Sequence, residues 1–358
     1  MDFTLGETQQ AVAQAAAHAL DRNPPLPDGR ALWKELGQAG LLGLALPAWL
    51  GGDGLGVMDT AVLLAEAGRR AAAIPALATL AMGVLPVVRW GDRDVQRVLL
   101  DGVAAGDTVL TAAVREPSDP MPLAPATAVL PTTKGSTVSG VKTGVPYGAA
   151  ARWILVPASV APGGTGVAVS DPSTEGVRLR PTPSSGGEPE YTLHLDDAPV
   201  AHLLGDDRAV AGLYQLTLAG AACVADGALA GALALTTAHV GSRKQFGRPL
   251  ATFQAVAQQI ADVAIVSRTL HLAALSACWR LETGREAGAD VDVAAYWLAE
   301  QAPAALRDCH HLHGGTGMDV SYPLHRYSAL VKDLVRLIGG ADYRLDRLGA
   351  RLCAGTGG

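Results

Sequence analysis

Charge is scarce in this sequence: 17% of its 358 residues are Asp, Glu, Lys or Arg, and the net charge is −6. An acidic balance disfavours non-specific nucleic-acid binding, which needs a basic surface. So low a charged fraction, beside 49% hydrophobic residues, implies that much surface is buried against other subunits. Cysteine is sparse as well. Cys223, Cys278, Cys309 and Cys353 lie far apart, form no CxxC pair and accompany no secretion signal, so they read as reduced thiols of a cytoplasmic protein. GxGxxG and the P-loop are both missing, which removes the case for NAD or ATP. His310, His311 and His313 do not share one helical face, which argues against a metal site. Ser328 and His325 read as ordinary helix residues rather than a nucleophile–base pair. The apolar run Ala219–Thr237 is built of Ala and Gly and interrupted by Asp226. That composition suits close helix packing better than a membrane span.

What is present divides the chain in three. Residues 1–107 carry helical patterns over Thr8–Leu20, Ala31–Leu44, Met58–Arg70, the apolar run to Val88, and Val95–Leu100, with Asn23–Pro27 breaking the first from the second. Residues 108–205 switch to short β runs: Thr108–Val114, Ala128–Leu130, Thr137–Val141, Trp153–Val156, Thr165–Val169 and Tyr191–Leu195. From 206 to 358 the pattern is helical again: Arg208–Arg243, Phe253–Thr283, Asp290–His313, and Leu324–Leu352 with interruptions. Asp206 and Asp207 supply a cap for the first of these. The whole is α+β.

Between the two longest helices lies Ser242-Arg243-Lys244-Gln245-Phe246-Gly247-Arg248-Pro249-Leu250-Ala251-Thr252-Phe253-Gln254. Arg243 and Lys244 are expected in the last helical turn, where the dipole favours cations, with Gly247 ending the helix and Pro249 blocking its continuation. An Arg, an aromatic and an amide projecting from one corner suit a dinucleotide: Arg243 on the pyrophosphate, Phe246 against adenine, Gln254 nearby. This Arg-Lys-x-Phe-Gly…Gln stretch resembles the flavin signature of the acyl-CoA dehydrogenase family. Leu32–Gly37, Gly40–Pro47 and the glycine loop Gly51–Gly56 resemble that family's N-terminal motifs, and His313-Gly314-Gly315-Thr316-Gly317 with Tyr322-Pro323 its C-terminal one. The resemblance implies an N-terminal helical domain, a middle β-barrel or sheet domain and a C-terminal four-helix bundle. It also implies FAD as cofactor, held by Arg243, Phe246, Gln254, His311, Gly314 and Gly315 at the ADP end, on the side facing a neighbouring subunit. His311 stands where the family usually has Gln.

The resemblance breaks down at the reacting centre. Family members abstract the α-proton of an acyl-CoA thioester with a glutamate while the β-hydride passes to the flavin. Counting on from Tyr322-Pro323 puts Ile338 at that glutamate's position, and the alternative position at the start of the long helix holds Thr217. Neither side chain can take a proton. Asp333 and Asp342 lie off these positions and read as surface charges. The family's glycine loop after the first strand is here Glu116-Pro117-Ser118-Asp119-Pro120-Met121, and its Trp-Ile-Thr-Asn-Gly is Gly144-Val145-Pro146-Tyr147-Gly148. Proline offers no N–H to a flavin atom. The resemblance therefore implies a subunit of an FAD-dependent acyl-CoA dehydrogenase that lacks the base and completes a catalytic partner's flavin site. The partner is a homologous chain in a heterotetramer, and the substrate is an acyl-CoA such as a sterol side-chain ester. A homo-oligomer using another base, or a non-catalytic structural subunit, is the alternative.

Overall fold

The computed structural model describes residues 3–22, 29–133 and 135–355; the Asn23–Pro27 helix break lies outside them. The N-terminal part is helical, with α1 (Glu7–Arg22), α2 (Gly29–Gln38), α3 (Val57–Arg69), a π-helical stretch Leu77–Val84, α4 (Leu85–Trp90) and α5 (Arg93–Leu99). The Ala31–Leu44 helix expected from the sequence stops short, at Gln38. Gly40 adopts φ +78°, and Leu41 N–H turns back to the Leu36 carbonyl at 3.0 Å, a left-handed helix stop that glycine permits.

Eight strands follow: β1 (Leu110–Ala112), β2 (Ala128–Thr132), β3 (Gly135–Pro146), β4 (Trp153–Val160), β5 (Thr165–Ser170), β6 (Val177–Thr182), β7 (Glu190–Pro199) and β8 (His202–Leu204). They form one sheet in the order β6-β7-β3-β2-β4-β5-β8, with β1 added in parallel beside β4. Alternation of side chains across the pleat splits β4 between two cores. Ile154, Val156 and Ala158 enter the domain's own interior, whereas Trp153 and Leu155 pack into the helical core. β6 and β8 escaped the sequence pattern because Arg178, Arg180 and Pro181 break the apolar rhythm of one and the other has three residues.

Then come α6 (Asp207–Ser242), a two-residue pair β9 (Lys244–Gln245) with β10 (Arg248–Pro249), α7 (Gln254–Glu282), α8 (Gly288–His313), α9 (Leu324–Leu337) and α10 (Ala341–Gly355). Asp206 caps α6, its Oδ1 accepting from Arg208 N–H at 2.9 Å. α6 packs against α7, α8 and α9, and on its other side against α3. A Cβ added at Gly227 would lie 1.8 Å from the Ala65 carbonyl oxygen, so α3 and α6 meet backbone to backbone. α6 and α7 are long and apolar enough to cross a bilayer, and most of the apolar stretch of α6 is buried within the protein.

Candidate functional site

The dinucleotide corner is a β-hairpin rather than a helix end. α6 finishes at Ser242, and Arg243 is its cap with extended backbone (φ −69°, ψ 123°), so neither Arg243 nor Lys244 sits in the last turn. Gln245 pairs with Arg248, leaving Phe246 (φ +53°) and Gly247 (φ +79°) as the two turn residues. Positive φ at both is the type I′ geometry that matches strand twist. Gly247 therefore makes a turn; it does not end the helix. For Phe246 the same backbone is strained, since left-handed φ in a bulky residue is a genuine outlier. The turn holds its ring 92% exposed, at 6.2 Å edge-on from Phe253. Arg248 is exposed and lies over the Phe253 ring at 4.1 Å. Gln254 opens α7 beside them and is exposed.

The second half of the corner comes from the end of α8. The rings of His239, in the last turns of α6, and His313 stack at 4.4 Å. His313 Nδ1 is 2.8 Å from the Cys309 carbonyl, so it donates there and Nε2 accepts from Tyr322 Oη at 3.0 Å. Burial lowers the pKa of both histidines, assisted at His239 by the Arg243 charge and at His313 by His239. Neutral rings stack without repulsion. This stack brings His311, Gly314 and Gly315 to the same end of the bundle as Arg243, and all three are exposed. A Cβ at Gly314 or Gly315 would meet nothing within 4 Å, so no side chain shields this stretch of backbone, although the Gly314 N–H already donates to the His311 carbonyl. Met318 and Val320, 78% and 86% exposed, continue an apolar fringe of the kind that marks an interaction surface. His310 is engaged elsewhere: its Nδ1 lies 3.1 Å from the Gly317 carbonyl, and its Nε2 accepts from Ser328 Oγ at 2.7 Å, joining α8 to α9. His325 Nδ1 contacts the Tyr322 carbonyl at 2.8 Å. Among the described residues no cluster of His, Cys, Asp or Glu is arranged to hold a metal.

The flavin-ring side is built differently. Glu116 is buried, accepting from Ala126 N–H (2.8 Å), Thr127 N–H (2.9 Å) and Lys142 Nζ (2.8 Å). Burial alone would raise the Glu116 pKa, but these bonds outweigh it and hold the carboxyl below its usual range. Burial pulls Lys142 down to about 8, against the Glu116 bond; the pair is still charged at neutral pH. Beyond it, a Cβ at Gly144 would lie 3.3 Å from both Arg115 Nη1 and Glu190 Oε1. A guanidinium and a carboxylate thus lie beside Gly144, the residue that stands where the resemblance places a tryptophan. Arg336 of α9 donates to both Glu190 oxygens, at 2.7 Å for Nη2–Oε2, and to Asp333 at 2.9 Å. Asp333 also accepts Ser185 and Gly186 N–H, each at 2.8 Å. It is a staple between α9 and the β6–β7 loop (residues 183–189), not the surface charge expected, whereas Asp342 is exposed.

The altered loop closes the rest. Pro120 packs against Gly339, where an added Cβ would be 2.7 Å away. Tyr343 Oη donates to Asp119 at 2.8 Å, and Tyr214 Oη donates to the Pro122 carbonyl at 3.0 Å. Residues 119–122 therefore lie between the two base positions. There, Ile338 is buried and Thr217 Oγ1 donates to the Leu213 carbonyl at 2.8 Å. The corner fits the ADP end of FAD: an exposed guanidinium, an exposed aromatic and a glycine backbone that no side chain shields. The ring side departs from that fit: Gly144 and Pro146 stand where the resemblance places Trp and Thr, and Arg115, Glu190 and Arg336 gather beside Gly144. Of the ring-side residues, Lys142 was legible in principle: it lies on the same face of β3 as Val138, four residues away. Arg115, Glu190 and Arg336 carry no such signal.

Comparison with known proteins agrees with this architecture. Residues 6–107 match the acyl-CoA dehydrogenase N-terminal domain and residues 215–351 the C-terminal domain. Acyl-CoA dehydrogenase FadE28 of Mycobacterium tuberculosis is 46% identical, over 98% of this chain and 99% of its own length. Among solved structures, the Tcur3481–Tcur3483 steroid ACAD, in a single-substitution variant, superposes with a TM-score of 0.93 at 34% identity, covering 99% of this chain and 100% of that one. The ChsE4-ChsE5 complex from Mycobacterium tuberculosis gives 0.92 at 30%, covering 99% of each. The chain belongs to the acyl-CoA dehydrogenase family of FAD-dependent oxidoreductases.

Proposed function

We propose that this chain is the base-less subunit of a heteromeric acyl-CoA dehydrogenase and that it donates the ADP corner of a flavin site whose ring and base lie in a homologous partner. One observation carries the reading: the chain presents an open dinucleotide corner while its own ring side departs from the family pattern and both base positions lack a proton acceptor. The two structures described above, each a pair of named chains, support a heteromeric assembly, and the steroid ACAD among them supports a sterol side-chain CoA ester as substrate. A cytoplasmic setting fits four cysteines that form no disulfide among the described residues. FAD, when bound, accepts the β-hydride. This chain's residues would hold its pyrophosphate with Arg243, lay Phe246 against the adenine, and meet phosphate or adenine edges with Gln254, His311 and the Gly314–Gly315 backbone.

The test is an FAD titration of the chain assembled with its partner. Arg243→Ala should weaken FAD binding about ten- to a hundred-fold, the worth of a charge-assisted contact, with excess FAD restoring much of the activity. Arg243→Lys should recover only part, since a point charge lacks the guanidinium fork. Arg208→Ala, at the far end of α6, serves as the control. Purified alone, the chain should be colourless. Equal FAD affinity for wild type and Arg243→Ala, or one FAD per isolated chain, would overturn the reading.

A further inference from the structure

Helices α6 and α7 pack side by side and are joined through the β9–β10 hairpin. From Gly241 to Asp262 no residue is buried, and the first buried residue of α7 is Val263. In the single chain this arm, with Arg243 and Phe246 near its tip, has few apolar contacts to hold it. Its root is held differently. His271 Nδ1 of α7 donates to Asp226 Oδ2 of α6 at 2.8 Å. One turn of α6 further from the tip, Cys223 and Cys278 place their sulfurs 3.4 Å apart, 55 residues apart in sequence. Both are buried free thiols.

We infer that Cys223 and Cys278 form a thiol redox site whose oxidants are small hydroperoxides, and that their disulfide locks the root of the arm. A disulfide needs its sulfurs about 2 Å apart, so the pair must close by little more than the width of a rotamer adjustment. The chemistry balances within the pair. One thiolate sulfur attacks a peroxide oxygen, the O–O bond breaks, the leaving alkoxide takes a proton, and a sulfenic acid remains. The second sulfur displaces its hydroxyl as water and the S–S bond forms. Two thiols thus lose two electrons and two protons, while the hydroperoxide becomes an alcohol and water. The bond from Cys278 and burial hold the Cys223 thiol well above its ordinary pKa, and the Asp226 charge adds to them. Protonated thiols are poor nucleophiles, so the reaction proceeds through opening of the arm, a segment with the few buried contacts of a low-stability region. The closed loop would contain the whole hairpin corner. The inference is independent of the FAD reading, since the isolated chain carries it.

The experiment uses the full-length chain with Cys353→Ser, which removes the exposed thiol. The folded protein is treated with excess hydrogen peroxide, its thiols are counted after unfolding, and peptides are mapped without reduction. One thiol, Cys309, should remain, with a Cys223–Cys278 linkage that is lighter by two hydrogen atoms and reversed by dithiothreitol. Adding Cys223→Ala or Cys278→Ala should leave the other member of the pair reduced under the same treatment. In urea unfolding, the linked protein should have an unfolding constant lower by about a thousand-fold, the entropic effect of closing a loop of this length. Three surviving thiols, a linkage through Cys309, or equal thiol loss in the alanine variants overturns the redox site. A linkage that leaves the urea midpoint unchanged or lowers it overturns the lock.

Discussion

Replacing Glu188, in the β6–β7 loop, by Gln removes a titrating group whose folded and unfolded states differ most in proton affinity between about pH 4.5 and 7. Burial lifts the carboxyl from 4.5 to about 7, the Asp333 charge adding to burial and the 2.5 Å hydrogen bond from Tyr147 Oη opposing it. The folded pKa is raised, so Glu188's contribution to stability is fully present below the unfolded value and is lost as pH rises through the folded one. A difference of about 2.5 at 1.36 kcal/mol per unit gives about 3 kcal/mol. Solvent screens the half-buried group, which trims the expectation to about 1–3 kcal/mol. Gln does not titrate. The stability of wild type minus that of Glu188→Gln should therefore fall by this amount between about pH 4.5 and 8, and then stay level. Urea unfolding of both full-length proteins across this range measures it, provided the slope with denaturant is unchanged. Parallel stability curves would refute the buried, raised carboxyl.

Two further outcomes test the packing that positions the site. Lys142→Met leaves Glu116 buried with only its backbone donors and should cost about 3–5 kcal/mol. The double change Lys142→Met with Glu116→Gln should cost less by the same denaturation assay; a single variant no worse than the double would refute the pair's geometry. Gly227→Ala drives a methyl into the Ala65 carbonyl and should cost about 3 kcal/mol or more by overpacking, seen as a lowered Tm. Gly349→Ala in α10, where an added Cβ meets nothing within 4 Å, should be neutral or stabilising, and equal Tm values for the two variants would refute the close crossing of α3 and α6.

The fold was legible because its signals are periodic. The switch from period 3.6 to period 2 near Thr108 and back after Leu204 follows from which side chains must face a core, and the Gly339-Gly340 break between α9 and α10 was marked by composition. Local turn chemistry was harder to see. At Phe246-Gly247 the choice between a helix cap and a type I′ hairpin depends on backbone pairing of Gln245 with Arg248, which no residue pattern announces. The ring site was legible only as a loss. The sequence shows that the glycine loop, Trp and Thr are gone, but the residues that gather beside Gly144 come from separate elements: Arg115 follows β1, Glu190 opens β7, and Arg336 lies on α9. Their meeting is a product of tertiary packing. Asp333 shows the same limit, since its backbone partners at Ser185 and Gly186 lie almost 150 residues away in sequence.

The locations of strain and of satisfied charge point in opposite directions. In the ring slot, Arg336, Glu190, Asp333 and the backbone of the β6–β7 loop satisfy one another inside the chain, and Glu116 has three donors within 3 Å. One exception is Arg115, whose Nε is buried without a partner and whose pKa is lowered by burial and by Arg336. At the corner the reverse holds. Phe246 is strained and almost fully exposed, Met318 and Val320 stand in solvent, and no side chain covers the Cα of Gly314 or Gly315. An exposed ring on a left-handed turn gains nothing for an isolated chain, where burial of the aromatic would be favourable by about 1.5–3 kcal/mol. Contact with an adenine or an apposed subunit would recover that burial. Under the proposed function, the chain would close the half of the flavin site that does chemistry and leave open the half that another chain can use, which is the division of labour a base-less subunit requires.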